Sequence, residues 1–249
     1  MIFSNPYPHI QHEVYPMTFL QMISAKMKFT SQDSPDDFWN KFRKFSEETF
    51  HIPVKDMPFD KDHYAELSSE EAETSYAFKC DTATVVIGSK GYNSFKETMP
   101  VHFKNIGDFL QNVACVSFID GLTLEKRNRF PFHVSLEKLD LGDALNYVFK
   151  TEFTEGLEYR IEAGQRVKVT KDTRVEIGKC AYMILTVGFQ VIDDSNVHLI
   201  FDVLASYTPS EAIGSGEIYN IALELNDIMF GAFRNVVTDN IIDVMKGDN

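Results

Sequence analysis

Two long apolar runs, Tyr182 to Ile192 and Val197 to Tyr207, flank the four polar residues Asp193-Asp194-Ser195-Asn196. Asp, Ser and Asn bond to their own backbone in tight turns, so the segment predicts a β-hairpin with two long arms. A lone hairpin is marginal in water, so the chain around it must supply further strands and a covering layer. A second hairpin is predicted just upstream. There Leu157, Tyr159 and Ile161 alternate with Glu158, Arg160 and Glu162, and Gly164 turns the chain towards Val167 and Val169, giving one wet face. The sheet is therefore expected to be antiparallel.

Helical spacing supplies the covering layer. Ser34-Pro35-Asp36-Asp37 combines a cap, a proline suited to the first helical position and two acids at the positive helix end. Phe38, Phe42 and Phe45 follow on one face. Phe95 to Val113 carries Phe103, Ile106, Phe109, Leu110 and Val113 at helical spacing, and Leu136 to Phe149 contains a helix with Asp140 as its cap. From Gly216 to Met245, Ile218, Ile221, Ala222, Leu225, Met229, Ala232, Val236 and Val237 predict one long closing helix. Phe19 to Phe29 and Val116 to Arg127 read as strands, Tyr76 to Ile87 as a β-hairpin or two short strands, and the charged stretch Val54 to Thr74 as a long surface loop. The expected class is α+β, with antiparallel strands and helices packed on one face. The order strand, helix, hairpin, helix occurs twice, which predicts halves 1–114 and 115–249, either separate or joined in one domain.

Charge and composition narrow the function. The 249 residues include 24 Lys and Arg against 37 Asp and Glu, a formal charge of −13 that repels polyanions and disfavours nucleic-acid or anionic-membrane binding. Met1 to Pro16 lacks Lys and Arg and is broken by Pro6, Pro8 and Pro16, unlike a secretion signal. The longest apolar stretches, such as Ala181 to Val187, fall far short of a membrane span. Three widely spaced cysteines, Cys80, Cys115 and Cys180, suit buried thiols in a reducing compartment, and the cytoplasm is expected.

Motifs for easy enzyme classes are missing: no GxxxxGK[ST], GxGxxG after a strand, GxSxG, HExxH or CxxC. His9 and His12 read as a solvated tail, Cys80 and Cys180 as core residues rather than nucleophiles served by His102 or His198, and Asp193-Asp194 as a turn. Asp202 stands out because it shares a strand face with Ile200 and Leu204, so its carboxylate must either lie on the wet face or be paired, and Arg127, Arg129, Arg160, Arg166, Arg174 and Arg234 are its natural partners. Glu125-Lys126-Arg127-Asn128-Arg129 is a basic cluster read as a solvated strand end, able to grip a local carboxylate or phosphate. Gly214-Ser215-Gly216 is read as a plain entry to the last helix.

The segment Phe233-Arg234-Asn235-Val236-Val237-Thr238-Asp239, with Ile241 and Met245 beyond it, resembles the carboxy-terminal signature of a sporadically distributed family of uncharacterised bacterial proteins of about this length. In that signature a Phe is followed four residues later by an aliphatic residue, then Thr, an acid and a closing Met. Gly121 and Leu122 match the family's Gly-Leu strand, but Lys126 stands where its Asn-Arg pair has Asn before Arg127. Of two alternating aspartates only Asp202 is present, with Ile200 at the other position, and Leu225-Asn226 replaces a Leu-His pair. The resemblance implies an α+β protein from accessory or mobile gene neighbourhoods and supplies no mechanism.

The first expectation is a non-enzymatic interaction or regulatory module, with a protein partner or self-association through exposed strand edges and the last helix. The second is a small apolar ligand held between a curved sheet and the long helix, lined from the 21 Phe and 10 Tyr. The third is a hydrolase using Asp202, Asp239 and Arg127 about a metal. Candidate functional or ion-pairing residues are Arg127, Asp202, Arg234, Thr238 and Asp239; no cofactor or metal site is expected.

Overall fold

The computed structural model describes residues 3–7, 13–31, 33–49, 54–55, 65–69, 71, 73–133, 141–157, 166–193, 195–211 and 213–247. They build a nine-stranded antiparallel sheet in the order β2-β3-β4-β5-β1-β7-β10-β9-β8. Its strands are β1 (Leu20–Lys28), β2 (Val54–Lys55), β3 (Ala65–Ser69), β4 (Thr74–Phe78), β5 (Thr82–Gly88), β7 (Gly121–His133), β8 (Lys168–Gly178), β9 (Ala181–Asp193) and β10 (Asn196–Tyr207). Two short strands, β6 (Phe118–Ile119) and β11 (Ile213–Gly214), pair separately. The helices are α1 (Pro35–Thr49), α2 (Phe95–Asn112), α3 (Leu141–Val148), α4 (Thr151–Thr154), α5 (Ile218–Val236) and α6 (Asp239–Lys246).

The central pair is β1 with β7, antiparallel, with Ala25 opposite Leu124. Outwards from it run β5, β4 and β3 on one side and β10, β9 and β8 on the other. The two halves thus share one strand order, with all neighbours antiparallel, in a sheet continuous across the seam.

Alternation sorts the faces. Along β10, Val197, Leu199, Phe201, Val203 and Ala205 are buried towards the helices, as are Met183, Leu185, Val187, Phe189 and Val191 of β9. Ser34 caps α1: its hydroxyl accepts the Asp37 N–H at 3.3 Å and donates to the Asp37 carboxylate at 2.6 Å. Phe38, Phe42 and Phe45 then bury together, and Phe38, Phe42, Phe45 and Phe78 all approach the Phe109 ring, Phe78 to 4.4 Å between centroids. In the first half the aromatics are core filling.

Several expectations change. Part of the segment read as a surface loop is strand: β3 pairs with β4, and its Leu67 is fully buried. Hairpin pairing with the next strand there overrides a composition that has little periodicity. The strand at the seam does not end at Arg127. It runs to His133 as β7, so the basic cluster lies mid-strand. The single closing helix is two, split at Val237, which is extended and bridges Phe149. The thiols are not buried: Cys80 is half-buried and Cys115 and Cys180 are exposed, because Cys80 and Cys180 lie in strand turns and Cys115 follows the end of α2. His9, His12, Asp140, Arg160 and the Gly164 turn lie outside the described residues. No described helix is long and apolar enough to cross a membrane.

Candidate functional site

Between the sheet and α5 lies a cavity of about 450 Å³. Its floor is the helix-facing side of β7 and β10. Leu122, Leu124 and Phe130 occupy that side of β7 as buried apolar residues, and the same alternation places Lys126 and Asn128 between them. Phe201 and Val203 of β10 continue the floor. The roof is α5, where Met229, Phe230 and Phe233 line the cavity from one helical stripe, joined by Met245 of α6.

Two further segments close the sides. Tyr92, Asn93 and Ser94 lead into α2, and Ser94 caps it by accepting the Glu97 N–H at 3.3 Å. The chain from Glu13 to Leu20 crosses the roof. Tyr15 stacks on Phe230 with ring centroids 6.4 Å apart, the Met17 N–H donates to the Met245 carbonyl at 3.1 Å, and the Arg129 N–H donates to the Phe19 carbonyl at 2.9 Å. Gly231 makes room for a neighbouring part of the same amino-terminal chain, since a Cβ there would stand 3.2 Å from the Tyr7 Cβ. At the rim Glu13, Val14 and Asn93 are exposed.

The polar groups in this apolar space are unequal. Asn128 is buried and already donates to the Phe201 carbonyl at 2.9 Å. Lys126 reaches the face of Tyr92 with its ammonium 6.0 Å from the ring centroid, and it has no salt bridge among the described residues. Burial pushes its pKa down to about 8, against the field of Asp227 on α5, which favours the charged form. The still accessible part of the side chain borders the cavity. Burial also raises the Tyr92 phenol. Tyr15 is pushed up to about 12, first by burial and then by Glu13, with Arg234 opposing.

The residues singled out from sequence do not converge. Asp202 and Arg127 face the open side of the sheet, opposite the cavity. Asp202 takes both terminal nitrogens of Arg129 in a fork, with the Nη2 contact at 3.1 Å, while Arg127 pairs with Glu125 at 2.6 Å. Arg234 lies on α5 beside Tyr15. The Thr238 hydroxyl donates to the Tyr147 carbonyl at 2.5 Å and its N–H to the Val148 carbonyl at 2.9 Å, so it ties the α5–α6 corner to α3. Asp239 is exposed in the first turn of α6, where its charge suits the helix dipole. Among the described residues, no group of three His, Cys, Asp or Glu is placed to hold a metal ion. Of the signature residues, Phe233 and Met245 do face the cavity. Sequence reasoning missed Lys126 as a site residue; its signal was the alternation with Leu122 and Leu124, hidden by reading Lys126 together with Arg127 and Arg129 as one solvated basic cluster.

No family model matches the chain, and no curated protein matches it in sequence. Among solved structures it is similar to Methanococcus jannaschii TBP, at 14% identity and a TM-score of 0.32, over 86% of this chain and 99% of that one.

Proposed function

We propose that the chain is a non-enzymatic binding module for a small, largely apolar molecule. The observation that carries this reading is the cavity of about 450 Å³ under α5, within the size range of small-molecule sites and lined mainly by apolar side chains with a few polar groups. Native mass spectrometry of protein purified gently from its own source tests the reading. A small extra mass that is lost in a Met229→Trp variant, whose indole fills the roof, is the expected result. Bare protein, together with no thermal shift across a panel of lipids and metabolites, would overturn it.

A second reading, association with a protein partner or another copy, has its own observation. Among the described residues β8 is the outermost strand beside β9, most of its eleven residues are exposed, and at its end the Ile177 carbonyl accepts the Ser4 N–H at 2.8 Å. Strand addition could use that edge. Yet Lys168, Lys171, Asp172, Arg174 and Glu176 stud it, which is how sheet proteins discourage such pairing, so the ligand reading comes first. A strictly monomeric protein by sedimentation, recovering no partner from its native lysate, would remove this second reading.

A further inference from the structure

We propose that the occupant of this cavity is a monocarboxylate with an apolar body, its carboxylate at the Lys126 ammonium and its hydrocarbon among Phe201, Met229, Phe230 and Phe233. The inference rests on the binding reading above and adds the chemistry of the ligand. A half-buried lysine on the helix-facing side of a central strand, two residues from the buried Leu124 and opposite Val203, gives up part of its hydration, and no salt bridge among the described residues replaces it. An anion entering from the cavity would supply the missing partner in a medium where a charge-assisted bond is strong.

A second feature points the same way. Asn93 and Ser94, which lead into the 18-residue helix α2, line the cavity, so the positive end of that helix is turned towards it. The charged groups around Lys126 limit the ligand to one negative charge. Among the described lining residues Lys126 is the single cation; Glu13 stands at the rim, and Asp227 acts on Lys126 from α5. A dianionic phosphate would bring a second negative charge to a lining whose described residues hold one cation, in a protein of net charge −13; Arg234 stands beside Tyr15 and does not itself line the cavity. An apolar body matches the remaining lining, including Tyr92, Val203 and Met245.

The test uses the full chain and three probes built on a ten-carbon chain: decanoate, decanol and decyl phosphate. By calorimetric titration at pH 7, decanoate should bind about tenfold or more tightly than decanol, the value of one charge-assisted bond. Lys126→Met should bring the two to equal affinity while retaining decanol binding. At pH 8.5 decanoate, unlike decanol, should drive proton uptake, read from titrations in buffers of different ionisation enthalpy, because the ligand's charge raises the pKa of Lys126. That readout needs no variant. Equal binding of decanoate and decanol by the natural chain would overturn the carboxylate assignment and leave the apolar-ligand reading standing. Tighter binding of decyl phosphate would overturn the single-charge argument. Binding of none of the three would sink this inference and count against the cavity as a ligand site.

Discussion

At the scale of the residue, the costly placement is Lys126. The rest of β7 behaves as alternation demands: Glu125, Arg127 and Arg129 take the open face, and Leu122, Leu124 and Phe130 the covered one. Arg129 meets Asp202, so that pair keeps two half-buried charges satisfied. Among the described residues Lys126 has Tyr92 and the field of Asp227, and no salt bridge. The consequence is a stability profile with a definite sign. In the unfolded chain the lysine keeps its proton to about pH 10.4, whereas in the native protein it releases it near 8. Between these values the unfolded state binds more protons, so stability rises with pH, by about 2 kcal/mol from pH 8 to pH 10. Above pH 10 the raised phenols of Tyr15 and Tyr92 act in reverse, since they stay protonated in the folded protein while their unfolded counterparts ionise. Urea denaturation across this range should show the rise in the natural chain and its loss in Lys126→Met, which should also be the more stable protein at pH 7. A profile identical in both would mean that the Lys126 ammonium is well hydrated.

Among the elements, the outer hairpin carries a local constraint that no periodicity reveals. Gly188 of β9 lies against β8 so closely that a Cβ would stand 2.1 Å from the Val169 carbonyl oxygen and 2.8 Å from the Thr170 Cα. Those neighbours are backbone and cannot swing aside, so Gly188→Ala must push β8 away. The expected cost is about 3 kcal/mol. Hydrogen exchange should show lost protection over 168–178 and retained protection over 20–28 and 121–133; unchanged protection of β8 would show that the sheet absorbs the methyl. The same contrast explains what could be read from the chain. The β9–β10 hairpin, the capped start of α1 and the apolar face of α2 were legible because turn residues, caps and spacing are written locally. Strand β3 was not, since among charged neighbours only Leu67 signals a core position. Nor was the break at Val237. Apolar spacing runs on through Val236, Val237, Ile241 and Ile242, and the helix is interrupted by bonds to residues about ninety positions earlier, at Tyr147, Val148 and Phe149. The cavity was foreseen only as a space between sheet and helix, because its one charged anchor was hidden in a basic cluster whose two faces only a complete strand separates.

For the whole molecule, the question is whether the two similar halves behave as one body. Their strand orders match, yet their contacts do not stop at the seam. Strand β1 pairs along β7 from Lys28 opposite Gly121 to Leu20 opposite Asn128. On the helical side Tyr219 of α5 meets Phe95 and Phe103 of α2, with centroids 6.3 and 5.9 Å apart. One apolar cluster includes Phe42 and Phe109 from the first half with Phe201 and Leu225 from the second. Pulling the halves apart would strip pairing from both central strands and expose apolar surface on both helices, and neither loss is confined to one half. Calorimetry should therefore show a single transition whose measured enthalpy equals the van't Hoff value. The cavity sharpens this expectation, because it takes Tyr92 and Ser94 from one half and Lys126 and Phe230 from the other. A ligand held there should raise the midpoint of the whole transition, by the equivalent of about 2.7 kcal/mol at a hundred times its Kd, and should not split it. Two transitions, with decanoate moving just one, would instead mean that 1–114 and 115–249 unfold independently and that the cavity belongs to a single half.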